Sequence, residues 1–176
     1  MPVPDVHILS QDEAHLTALW RNTFITLWWG GVTVGRLRNI DTIQQQLAKR
    51  LPTGYVGLAL LQSSNVNLPA DVRAEAERVT KDSPPELRAA AQIIHGTGFA
   101  AAAVRSLATG MQLFVRQRRP VKFFDTLDSA APWLVPHMNE LPEPAGSVIA
   151  PTVIRTVRAI IKDSVTGAAA ATVADW

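Results

Sequence analysis

Residues Ala91 to Asp125 read as strand, glycine turn, helix, strand. Ala91-Gln92-Ile93-Ile94-His95 is a strand-length apolar run, and Gly96-Thr97-Gly98 punctuates it. Phe99 to Val115 is apolar almost all round, and Val121-Lys122-Phe123-Phe124 closes the unit. Two strands joined through a helix run parallel, because the chain must cross over to begin the second strand at the same end as the first. The pattern therefore predicts a βαβ crossover and an α/β fold.

The flanking sequence extends this frame. Leu16–Trp20 and Thr23–Trp29 are rich in β-branched and aromatic residues, with Arg21-Asn22 between them, which predicts a hairpin. Val34, Leu37, Ile40, Ile43, Leu47 and Leu51 recur at helical spacing, which predicts an amphipathic helix from Val34 to Arg50. Tyr55 to Leu61 suits a central strand covered on both faces. Pro69 opens a helix that turns Val72, Ala76 and Val79 inward. Ser83-Pro84-Pro85 breaks the chain and opens a short helix from Glu86 to Ala91. Thr126 caps another through Trp133-Leu134, kept short or bent by Pro132. Pro151 to Val165 predicts an amphipathic C-terminal helix with a basic stripe of Arg155, Arg158 and Lys162. The expected architecture is a mixed sheet of about five strands, an N-terminal antiparallel hairpin and then parallel βα units, with helices packed against it. Residues 1–142 are expected to form the α/β domain, and 143–176 a linker and a helical extension.

Composition narrows the function. Apolar residues are 47% and charged residues 18%, which suits a packed core. With no cysteine, disulfides, zinc thiolate sites and Cys nucleophiles are excluded, and a cytoplasmic setting is expected. The N-terminus lacks a basic then apolar leader, and no apolar run reaches the ~18 residues of a membrane span. A net charge of +2 gives no nucleic-acid footprint. His7, His15, His95 and His137 show no metal-ligand spacing, and neither a nucleophile elbow nor a P-loop is present. No catalytic residue, metal or cofactor is expected.

The order of elements resembles the STAS fold, and within it the SpoIIAA-like (STAS/SEC14-type) proteins. The likeness spans roughly residues 15–135. It rests on Trp29-Gly30-Gly31-Val32-Thr33 before the first helix, and on Val121-Lys122-Phe123-Phe124 followed by a helix carrying Trp133-Leu134. The resemblance implies a non-enzymatic regulatory domain that binds protein partners, as the anti-sigma factor antagonists do. In those antagonists a serine at the start of a helix is phosphorylated. Here Ser63, Ser64 and Asn65 directly follow the strand, while Pro69 and Ala70 stand at the helix start without a hydroxyl. Ser63, Ser64, Asn65 and Pro69 are the candidates for partner binding or phosphorylation.

Gly96-Thr97-Gly98-Phe99-Ala100-Ala101 also fits a dinucleotide-type turn. Glycines admit a close phosphate, free helix N–H groups meet it, and Asp125 after the next strand could meet a ribose. His95, Gly96, Thr97, Gly98 and Asp125 are therefore candidates for a nucleotide or anion. A small NAD(P)-dependent oxidoreductase is the remotest version, since only 51 residues follow Asp125. Trp28 and Trp29 alternate to opposite sheet faces, so one of them is expected to need cover beyond the first helix layer, which suggests a homodimer.

Overall fold

Strand alternation sends the apolar residues of this chain to both sides of one sheet. The computed structural model describes residues 5–62, 68–96, 119–142 and 147–165. Strands β1 (Val6–Gln11), β2 (His15–Trp20), β3 (Thr23–Trp28), β4 (Tyr55–Gln62), β5 (Leu87–His95) and β6 (Val121–Phe124) pair in chain order. β1, β2 and β3 form an antiparallel meander, and β3 through β6 run parallel. The described helices are α1 (Val34–Arg50), α2 (Ala70–Asp82), α3 (Leu127–Asn139) and α4 (Ala150–Ser164). The fold is thus α/β with a mixed sheet, in which the predicted hairpin precedes parallel strands.

Several details depart from the sequence reading. The sheet has six strands, because β1 adds to the predicted hairpin. Its apolar residues do not alternate cleanly, since the register shifts between Ile8 and Ser10. Leu87 to Ala91 are the first half of β5 rather than a helix. The prolines and alanines there favour a helix start, but Ala89 and Ala91 lie beneath the main core and are fully buried, so packing overrides propensity. α3 runs to Asn139 and keeps Pro132 and Pro136 inside it. Its buried face of Leu127, Ala130, Ala131, Leu134 and Met138 offsets the lost amide donors. The predicted helix from Phe99 to Val115 lies outside the described residues.

One face of the sheet presents Leu16, Ile25, Leu27, Val56, Leu58, Leu60 and Ile93 to α3 and α4. There they meet Leu134, Val153 and Val157, each fully buried. The segment read as an extension beyond residue 142 therefore supplies part of the main core. The other face presents Phe24, Trp28, Tyr55 and Leu87 to Ile40, Ile43 and Leu47 of α1. Trp28 and Trp29 do lie in opposite cores, yet each is only 6% exposed within the single chain. Neither needs a second copy to cover it, so the reason for expecting a homodimer falls away.

The ends of the strands are tied by specific contacts. Arg21 adopts the left-handed conformation (φ 53°) in the β2–β3 turn, which costs a non-glycine residue ~1 kcal/mol. Its guanidinium lies 5.6 Å from the Trp20 ring centroid, and Asn22 Nδ2 donates to Met138 O at 3.1 Å. At the other end of β3 the amides of Trp29 and Gly30 both donate to Ala14 O at 3.0 Å. A Cβ at Gly30 would stand 2.9 Å from Ala14 Cα, so only glycine permits this approach.

Candidate functional site

β4 and β5 pair in register up to Gln62 opposite His95, and β5 and β6 pair up to Ile93 opposite Phe124. The chain leaves β4 into Ser63, leaves β5 into Gly96 and leaves β6 into Asp125. These departures share one edge, the C-terminal ends of the parallel strands. His95 is half-buried, and Gly96 has φ 116°, a left-handed value that suits glycine. Asp125 is exposed. Pro69 stands at the N-cap of α2 in extended conformation, and its own side chain makes no cap hydrogen bond. Ser63, Ser64, Asn65, Thr97 and Gly98 lie outside the described residues.

The topology bears on the dinucleotide reading. In open α/β sheets, ligands lie at the strand ends where the order of strands reverses and adjacent crossovers part to opposite faces. Here the parallel strands advance β3, β4, β5, β6 without reversal. Gly96 keeps its left-handed backbone, but the strand order offers no reversal point there.

The basic residues divide. Arg119 is 7% exposed, whereas Lys122 close by in the chain is exposed. Its Nη1 donates to Pro84 O and Leu87 O at 3.0 Å each, and its Nη2 reaches Ser83 Oγ. Arg116 and Arg118 lie outside the described residues. On α4, Arg155, Arg158 and Lys162 are exposed, and Arg158 Nη2 meets Asp128 Oδ2 at 2.9 Å. The apolar face of that helix is spent on the core, which leaves the stripe no hydrophobic partner for membrane insertion. No described helix is long and apolar enough to cross a membrane.

A polar cluster joins the β1–β2 turn to α1. Asp12 Oδ1 accepts from the amides of Ala14 (2.7 Å) and His15 (3.0 Å), and Asp12 Oδ2 accepts from Arg36 Nε at 2.7 Å. Arg36 also donates to Glu13 Oε1 at 2.6 Å and Gly31 O at 2.9 Å. His15, 2% exposed, stacks on Trp28 with ring centroids 4.9 Å apart, and its Nδ1 lies 3.0 Å from Asp12 Oδ1. Burial opposes ionisation of Asp12, but the Arg36 hydrogen bond and the two amides outweigh it and hold the carboxyl well below the usual carboxylate range. A depressed native pKa stabilises the fold above the unfolded value of about 3.9, and this stabilisation is lost as pH falls through the native pKa. Asp12→Asn is expected to cost about 1–2 kcal/mol at neutral pH, a figure held down by partial exposure. In urea titrations the gap to the unmodified chain should close progressively below about pH 4. A gap of constant size down to the acid limit would refute this role.

Sequence reasoning missed a cavity of about 280 Å³ between the sheet and helices α1 and α2. Its floor is Thr26, Gly57, Ala59, Ala90 and Gln92, and Leu37, Ile40, Gln44, Val79 and Thr80 stand over it. The sequence holds a trace of it. Along β4 and β5 this face carries Gly57, Ala59 and Ala90, while the opposite face carries Leu58, Leu60 and Ile93. Small residues on one face of a central strand leave volume that only facing helices can fill, and helix placement is not legible from strand sequence. A scan against protein-family models and searches of curated proteins and of solved structures found no match to this chain.

Proposed function

We propose that this chain is a non-enzymatic regulatory domain of the STAS, SpoIIAA-like kind, acting in the cytoplasm through protein contacts. The partner docks on the edge where β4, β5 and β6 end. The observation that supports this reading is the in-register pairing of Gln62 with His95, next to that of Ile93 with Phe124. It gathers the segment beginning at Ser63, the turn beginning at Gly96, and Asp125 along one border of the sheet. Loops carried on a rigid sheet are where interaction residues concentrate.

A photo-crosslinking residue placed at His95 or Asp125 should trap one protein species in cells. The same residue at Lys49, exposed at the far end of α1, should not. Equal capture from all three positions, or none from any, would overturn the assignment. The left-handed Gly96 favours a second reading, an anion or nucleotide at the same turn. Thermal unfolding with NAD, NADP, ATP, GTP and phosphate separates the two, because a ligand of the native state raises the midpoint.

A further inference from the structure

We infer that the outer edge of β1 pairs with β1 of a second copy of this chain, antiparallel, about a two-fold axis at His7. The basis is an open strand edge rather than a tryptophan in need of cover. This edge stands apart from the strand ends proposed above, and either can fail without the other. Among the described residues β1 pairs only with β2, so backbone groups on its outer side have no strand to bond. Exposed sheet edges are commonly blunted by brevity, charge or proline. β6, at the other border, spans four residues and carries Lys122. β1 spans six, Val6–Gln11, and holds no Lys, Arg, Asp, Glu or Pro. Ile8 in its middle is 46% exposed.

The register selects the occupant. The Asp12 amide donates to His15 O at 3.0 Å, so His15 turns its backbone groups toward β1. That direction alternates along a strand. Thr17 and Leu19 therefore also bond toward β1, and Ala18 and Trp20 bond toward β3. Val6 and Ile8, opposite Trp20 and Ala18, are left with their N–H and C=O groups pointing outward, while His7 bonds inward to Leu19. Two outward residues flanking an inward one form a self-complementary edge. With His7 on the axis, Val6 of each copy comes opposite Ile8 of the other, and each pair exchanges two N–H···O=C bonds. An axis at Ile8 would instead set Val6 against Ser10, whose groups are spent on Thr17 beyond the bulge. Trp20 and Ala18 belong to the main core, so Val6 and Ile8 of both copies adjoin on that face of the joined sheet. The uncharged strand meets itself without burying a charge. The contact is small, which sets a weak dimer with a Kd on the order of 10–100 µM.

Sedimentation equilibrium of the full chain from about 5 to 500 µM should follow a monomer–dimer isotherm. The chain has no cysteine, so His7→Cys introduces a single thiol. Across the axis two such thiols occupy a close pair of the ladder, with Cα atoms about 4.5 Å apart and within disulfide reach. Mild oxidation should link these chains at least about tenfold faster than Gln11→Cys chains, whose thiols would lie about 26 Å apart. His7→Glu and His7→Lys should each stay monomeric through like charges across the axis, and an equimolar mixture should regain the dimer. That rescue separates loss of pairing from misfolding. Ile8→Lys should raise the Kd at least about tenfold and leave the melting temperature of the dilute chain within a few degrees. A monomer over the whole concentration range, equal linking from positions 7 and 11, or a mixture that fails to restore the dimer would each overturn the inference. So would a dimer that persists in both charged His7 variants, or an edge that takes up another protein's strand while the chain alone stays monomeric.

Discussion

A chain ended after Leu141 is expected to lose its cooperative unfolding transition. The deletion strips Val148, Val153, Val157, Ile160, Ile161 and Val165 from the main core, and each of them is less than 9% exposed. Burial of one such side chain is worth roughly 1.5–3 kcal/mol, so the six together contribute about 10 kcal/mol. That rivals the whole net stability of a typical domain, about 5–15 kcal/mol. The loss also bares the partner surfaces of Ala130, Ala131, Leu134 and Met138 on α3. Val148 is held to α3 besides, since its amide donates to Asn139 Oδ1 at 2.8 Å and its carbonyl accepts from Asn139 Nδ2 at 3.0 Å. Near-UV circular dichroism and the dispersion of amide NMR signals would report the collapse. A shortened chain that melts within a few degrees of the full one would mean that α4 is dispensable.

Replacing Arg119 by leucine is expected to cost about 3 kcal/mol in urea unfolding. The guanidinium closes the start of β5 against the start of β6, bridging carbonyl oxygens of Pro84 and Leu87 and the side chain of Ser83. Leucine leaves these buried acceptors without their donor, and an orphaned buried acceptor costs about 1–3 kcal/mol. Pro84 O keeps a second donor, the Leu87 amide at 3.1 Å, which keeps the total below the sum of the parts. Lysine should recover only part of the loss, because one ammonium cannot span the fork. The charge also acts on Tyr55. Burial pushes that phenol above the usual tyrosine range, Arg119 pulls it partly back, and Glu86 adds to the rise. A penalty under about 1 kcal/mol for Arg119→Leu would show that the bridge is incidental.

Legibility followed the range of the forces involved. The helix from Val34 to Arg50 was readable to the residue, since its apolar spacing and the break at Pro52 are local. Strand β6 was readable for the same reason, as a short apolar run after Pro120. Leu87 to Ala91 misled because alanine is a good helix former, and only the neighbouring strands make it a strand. The role of Arg119 was not legible, because arginine is nearly always at the surface and nothing in its vicinity in the chain announces the carbonyls of Pro84 and Leu87. The edge candidates His95, Gly96 and Asp125 were found from strand ends and glycine chemistry. Their common border required knowing which strands are neighbours.

By itself the sequence determined the α/β class, the antiparallel start, the parallel continuation and the helix that covers one face. These follow from periodicity and from the stereochemistry of crossovers, which act over a few residues. Only the tertiary structure decided that α4 belongs to the core, that Trp28 and Trp29 are both covered within one chain, and that a cavity remains beneath α1 and α2. Those outcomes depend on how side-chain volumes from distant segments fill a shared space, and no local pattern carries that sum.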